Sequence, residues 1–177
     1  MTELIRQSPD LCTVSLDINR LEKLSTIVIS CNDLDGLVKS EQLASFGEFA
    51  LLQSDNLEQT LRHPESAMMQ LLHTMLTICR RPTRIMLFAH SGCGEGNKSE
   101  AIEEFRPQSE NENLLTPLEV SVLSRLKVLD RLIQEGLLPG GEKAKIYACL
   151  YEAEFDWISV YEPELELFVP LFGQIHI

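Results

Sequence analysis

Two stretches of the chain are apolar without alternation. Thr26-Ile27-Val28-Ile29-Ser30-Cys31 is β-branched and apolar, and Arg84 to His90 carries five consecutive apolar residues, Ile85-Met86-Leu87-Phe88-Ala89. Short continuous apolar runs of this kind predict strands buried on both faces, as in a parallel sheet. Lys145 to Tyr151 predicts a further strand, with Trp157 to Tyr161 pairing to it as an edge hairpin. Glu48 to Gln53 predicts a shorter strand, ended by the turn formers Ser54-Asp55-Asn56.

Between these runs the period changes to that of a helix. Over Glu65 to Arg80, residues Met68, Leu71, Leu72, Met75 and Cys79 fall on one face. Pro64 suits the first turn of this helix, Arg80-Arg81 complement its C-terminal dipole, and Pro82 stops it. Thr116-Pro117-Leu118-Glu119 predicts a second helix through a capping box with proline at the first position. Its apolar stripe runs Leu118, Val122, Leu126, Leu129, Ile133, and Gly136 with Pro139-Gly140-Gly141 ends it. Shorter helical pieces are expected over Leu16 to Leu24 and Val38 to Ser45, and a long polar loop over Glu95 to Leu115. Strands alternating with helices predict an α/β fold, a mainly parallel central β-sheet with helices on both faces. Without repeats or linkers, 1–177 reads as a single domain with an N-terminal arm (1–24) and a C-terminal tail (162–177).

Composition narrows the function classes. At 44% hydrophobic and 24% charged, the 177 residues are ordinary globular material. No apolar run approaches the roughly 18 residues of a membrane helix, and the first residues lack the pattern of a signal peptide, so a cytoplasmic location without membrane association is expected. A net charge of −12, from 27 acidic and 15 basic residues, repels phosphate backbones and argues against a nucleic-acid partner. The five cysteines are odd in number and widely spaced, favouring free or metal-bound thiols over disulfides.

The candidate chemistry lies at the ends of the buried strands. His90 closes one of them, and Cys93 follows across a turn eased by Gly92, Gly94 and Gly96. An imidazole and a thiolate three positions apart can reach one tetrahedral metal, which is half of a zinc site. Cys31 closes the other strand. Side by side in a parallel sheet, the two strands bring Cys31, His90 and Cys93 together at the carboxyl ends, where such sheets collect functional groups. Two thiolates and one imidazole form a donor set used by catalytic zinc when the fourth position stays open.

The arrangement resembles the β-class carbonic anhydrases, which carry C-x-D-x-R at one strand end and H-x-x-C-G at another. The corresponding residues here are Cys31-Asn32-Asp33-Leu34-Asp35 and His90-Ser91-Gly92-Cys93-Gly94, and the likeness spans roughly Ser25 to Tyr161. The resemblance implies a β-carbonic-anhydrase-like fold, Zn2+ held by Cys31, His90 and Cys93, a lyase acting on CO2 and bicarbonate, and a homodimer or higher homo-oligomer. It also exposes departures. The family's arginine forks onto the aspartate and holds it off the metal, but Asp35 stands in its place. Asp33 and Asp35 are thus the candidate catalytic carboxylates. Either one swings onto the metal and closes the site, or one is held by another donor or protonated by mutual repulsion. The family's R-N-A-G stretch is also absent from Leu52-Gln53-Ser54-Asp55, and no pocket glutamine precedes Ser25 to Cys31.

The resemblance supports two classes of function. One is a zinc lyase whose CO2 hydration is impaired or redirected to another small substrate. The other is a non-catalytic zinc-bearing protein kept for assembly or regulation, with Asp33, Asp35 or Cys12 as fourth ligand. Gly92 to Ser99 falls one residue short of a P-loop, but Pro107 and the acidic Glu95, Glu100, Glu103 and Glu104 oppose a nucleotide. Asp33, Asp35 and Gly36 only faintly echo an EF-hand. Cys79 and Cys149 read as structural, and His63, His73 and His176 as surface or packed residues. Trp157 and Phe168-Val169-Pro170-Leu171-Phe172 are expected to face a second subunit.

Overall fold

The computed structural model of the chain describes residues 13–15, 24–34, 43, 49–79, 83–90, 115–152 and 154–171. Its strands are β1 (Thr13–Ser15), β2 (Thr26–Cys31), β3 (Phe49–Ser54), β4 (Thr83–His90), β5 (Ala144–Glu152), β6 (Trp157–Glu162) and β7 (Leu167–Pro170). The helices are α1 (Leu57–Arg62), α2 (Ala67–Ile78) and α3 (Pro117–Gln134), with a 3-10 turn at Gly141–Lys143. The strands form one sheet in the order β1-β3-β2-β4-β5-β6-β7. Its centre, β3-β2-β4-β5, is parallel, and β1, β6 and β7 are added antiparallel at the edges. Parallel strands need crossovers: α1 with α2 carry the chain from β3 past β2 to β4, and α3 joins the neighbours β4 and β5.

The apolar runs sit where continuous burial is required. All of β2 is buried, as is β4 apart from half-buried Arg84, whereas β3 alternates and β7 is largely exposed. Alternate residues feed two cores. Ile27, Ile29, Ile85, Leu87 and Leu52 meet Leu57 and Leu61 of α1, Met68, Leu72 and Met75 of α2, and Val122 and Leu129 of α3. On the opposite face Val28, Met86, Phe88, Cys149, Tyr151 and Ile158 are buried with Leu34 and with the helical residue Leu43. Each such aliphatic or aromatic side chain contributes ~1.5–3 kcal/mol by leaving water.

The capping box is present as expected. Thr116 Oγ1 accepts from the Glu119 N–H at 3.3 Å, and the Glu119 carboxylate accepts from the Thr116 N–H at 2.6 Å. The helix expected from Glu65 begins later. Ser66 is its N-cap, its Oγ accepting from the Met69 N–H, so Pro64 lies in the preceding turn and not in the first helical turn. The six-residue α1 was not anticipated. Asn56, expected only to end a strand, also starts this helix, its Oδ1 accepting from the Gln59 N–H at 3.1 Å.

Both expected terminal segments contribute strands, β1 from 1–24 and β7 from 162–177. The Phe168 ring packs on Tyr161 with centroids 5.4 Å apart, and the Leu171 N–H donates to the Ile158 carbonyl at 2.8 Å. Pro170, which has no N–H, is accommodated on this edge strand. The short helices expected at 16–24 and 38–45, the Arg80-Arg81-Pro82 stop and the polar loop at 95–115 lie outside the described residues, apart from Leu24, Leu43 and Leu115. Among the described residues no helix is long and apolar enough to cross a membrane.

Two glycines after α3 test how this packing is held. Gly136 (φ +72°) has nothing within 4 Å of an added Cβ, whereas at Gly140 (φ +86°) that Cβ would come 3.0 Å from the backbone carbonyl of Leu76 in α2. Gly136→Ala should cost the left-handed penalty alone, ~1–2 kcal/mol. Gly140→Ala should cost a further ~1–3 kcal/mol of overpacking. Urea unfolding of the two variants measures the difference, and equal costs would contradict the close approach to α2.

Candidate metal centre

Parallel pairing from Thr26↔Arg84 to Ile29↔Leu87 sends β2 and β4 toward the same edge of the sheet. Cys31 is the last residue of β2 and His90 the last of β4, and Cys31 Sγ lies 2.7 Å from His90 Nε2. Both are buried, at 2% and 5% exposure. On either side, Cys31 pairs with Ser54 of β3, and His90 with Tyr151 of β5. The carboxyl ends of the parallel strands therefore present Ser54, Cys31, His90 and Tyr151 along one edge.

The backbone after Cys31 turns at once. The Cys31 carbonyl accepts from the Leu34 N–H at 3.4 Å, from Ser30 Oγ at 3.2 Å and from Gln53 Nε2 at 3.2 Å. The Asn32 N–H donates to the Ser54 carbonyl at 3.2 Å, and Asn32 Nδ2 donates to Asp55 Oδ1. Asp33, one of the two expected carboxylates, is exposed in this turn, and among the described residues its carboxylate has no hydrogen-bond or ion-pair partner. Asp35, Cys93, Cys12, His176 and the P-loop-like segment 92–99 lie outside the described residues.

The structure thus brings together two of the three expected ligands and leaves Asp33 in solvent. Among the described residues no group of three or more His, Cys, Asp and Glu stands ready to hold a metal ion. A thiolate and an imidazole nitrogen still suit zinc chemically. Ligands of one tetrahedral zinc, with Zn–S near ~2.3 Å and Zn–N near ~2.0 Å, stand ~3.5 Å apart. At 2.7 Å the pair shares a hydrogen-bond contact, and a metal held by Cys31 and His90 would take the place of the proton between them.

Two neighbours of the site were read from sequence without this role. Gln53 entered only as the end of a strand and as part of a missing motif. Tyr151 entered only as a strand terminus, but it is buried and its hydroxyl donates to Asp156 Oδ1 at 3.2 Å. Asp156 reaches it from a left-handed turn residue (φ +47°). Burial foremost, then the Asp156 contact, pushes the Tyr151 phenol up from its ordinary value. Cys79 and Cys149 are buried in the cores and in no disulfide, as expected of structural cysteines. His63 is exposed beside Glu65 at 3.5 Å, and His73 is exposed on α2.

The sequence matches no family model and no curated protein. The structure is similar to a solved structure of a β-carbonic anhydrase, CcaA, with a TM-score of 0.52 and 15% sequence identity, over 86% of this chain and 79% of that one. The chain therefore has a β-carbonic-anhydrase-like α/β fold.

Burial of the thiol and phenol next to this edge sets an alkaline limit on stability. Desolvation raises Cys149 above its ordinary 9.0, and Tyr151 is raised above 10.0. Below pH 9 both states keep these protons, and the shifts leave stability unchanged. Above it the unfolded chain releases them while the folded chain holds them, so stability falls as pH rises, first through Cys149 and then through Tyr151. Cys149→Ala and Tyr151→Phe should each flatten the loss of unfolding free energy on raising the pH above about 9 and 10 respectively, measured by urea titration at each pH. An unchanged slope in both would contradict the buried placement.

Proposed function

We propose that this chain is a zinc protein that binds the metal through Cys31, His90 and Cys93 and acts on CO2 or a similarly small electrophile, less effectively than a site with an arginine-held aspartate. The observation that carries this reading is the 2.7 Å approach of Cys31 Sγ to His90 Nε2 at the carboxyl end of the parallel strands. The H-x-x-C-G spacing, in a chain with a β-carbonic-anhydrase-like fold, supports Cys93 as the third ligand. Zinc in this donor set supplies Lewis acidity, lowering the pKa of water toward ~7.

The chain's own residues do the rest. Cys31 and His90 enter the site from adjacent buried strands, so neither side chain has much freedom to lose on binding. Two thiolates place negative charge on the metal and weaken its acidity relative to a set of imidazoles, which raises the need for a positioned proton acceptor. Asp33 does not meet that need as it stands, exposed and without a partner among the described residues. Asp35 adds a like charge where the family has its clamp.

A second reading is a closed, non-catalytic zinc site of structural or regulatory use. The exposure of Asp33 disfavours it as the fourth ligand, which leaves Asp35 or Cys12 for that role.

The deciding experiment is stopped-flow CO2 hydration with zinc content measured on the same sample. A rate that rises with pH and disappears in His90→Ala supports the catalytic reading. No rate above buffer at full zinc supports the closed site, and failure of wild-type protein to retain zinc removes both. If the clamp is what limits turnover, Asp35→Arg should raise the rate ~100-fold, the lower end of what a positioned proton acceptor contributes.

A further inference from the structure

The turn that carries Cys31 is fastened from the side by β3. Gln53 is the register partner of Ser30, one residue before Cys31, and its side chain reaches along the strand to the carboxyl edge. There its Nε2 donates to the Cys31 carbonyl at 3.2 Å and stands 3.4 Å from Ser30 Oγ. Of the three donors described on that carbonyl, Ser30 Oγ and the Leu34 N–H belong to the ligand's own segment. Gln53 alone among them comes from another strand, so it ties the Cys31 carbonyl itself to β3, beside the bond from the Asn32 N–H to the Ser54 carbonyl.

The anchor is itself anchored. Asn32 is tied to Ser54 and Asp55, next to Gln53 along the chain. Ser54 Oγ lies 2.8 Å from Thr60 Oγ1 in α1, Thr60 Oγ1 donates to the Asn56 carbonyl at 2.7 Å, and Ser66 Oγ, the cap of α2, donates to the Thr60 carbonyl at 3.1 Å. Apart from the Asn32–Asp55 bond, whose acceptor is a carboxylate, a chain of neutral hydrogen bonds thus runs from the candidate ligand into the crossover helices.

We propose that Gln53 is a positioning residue for Cys31, setting the affinity of the site for zinc through a neutral amide. This inference rests on the zinc reading above. It gives the charge-reversed motif a separate source of order: the turn holding Cys31 does not need a cation at position 35 to keep its place. It also predicts a division of effects. Without Gln53 the Cys31 carbonyl keeps two donors and the turn keeps its Asn32–Ser54 bond, so the fold should lose little, whereas the cysteine loses the cross-strand tie made at its own carbonyl.

The test compares wild type with Gln53→Met, which keeps length and removes the donor, and with Gln53→Glu, which puts an acceptor in its place. Cobalt(II) serves as the probe, its affinity read by competition with a chromophoric chelator and its thiolate charge-transfer band by absorbance. Urea unfolding in chelator reads the stability of the same proteins. The expected result is a thiolate band in all three, with affinity ~10- to 100-fold weaker in both variants and similar unfolding midpoints. Wild-type affinity in the variants overturns the inference, as does a loss of stability large enough to account for the weaker binding, because the role would then be structural. Absence of a thiolate band in wild type overturns the zinc reading itself, and this inference with it.

Discussion

Parallel pairing of β2 with β4 is the constraint on which the rest of the structure depends. Cys31 and His90 are 59 residues apart in sequence, and they meet because both strands run the same way and end at the same edge. A parallel pair cannot be closed by a hairpin, so the chain must travel through β3, α1 and α2 before β4 can join. That crossover buries Leu57, Leu61, Met68, Leu72 and Met75 against one face of the sheet. The core and the site are therefore products of the same topology. A slip of one residue in this register would turn Ile27 and Ile29 to the opposite face and also separate the sulfur from the imidazole.

The edge so formed is polar in a restricted way. Its anchoring groups are carbonyls, amides and hydroxyls, from Gln53 and Asn32 through Ser54 and Thr60 to Ser66. On the β5 side a buried phenol is held by Asp156. Neutral hydrogen bonds are short-ranged and little affected by ionic strength, so they can fix a thiolate's position without neutralising its charge. An arginine near the metal would do both. In this chain, acidic overall, the groups described around Cys31 would hold a ligand without supplying positive charge.

Much of this was legible in the sequence, and the exceptions have physical causes. The runs at 26–31 and 84–90 could only be buried strands, and the Thr116 capping box marked α3 to the residue. The two candidate ligands among the described residues, Cys31 and His90, were legible because they close those strands. The six residues of α1 give too little length for a helical period to show, although Leu57 and Leu61 hold the required spacing and Asn56 the required cap. The three residues of β1 carry no pattern at all. The acidic residues around β7 and its Pro170 hid an edge strand, which needs burial on neither face. Gln53 was missed because its partner is a backbone carbonyl on another strand, a contact that no local spacing encodes.

Asp33 shows where motif reading and geometry part. The spacing C-x-D places a carboxylate two residues beyond the cysteine, but spacing does not aim it. After Cys31 the chain turns back at once through the Leu34 N–H, and Leu34 goes into the core while Asp33 stays in solvent. Burying the leucine is worth ~1.5–3 kcal/mol, and turning an unpaired carboxylate inward would cost several more. Both preferences point the same way, and among the described residues no cation pairs with the aspartate. The turn by itself accounts for the orientation of Asp33, and Asp35 in the sequence offers it no positive charge as a counterweight.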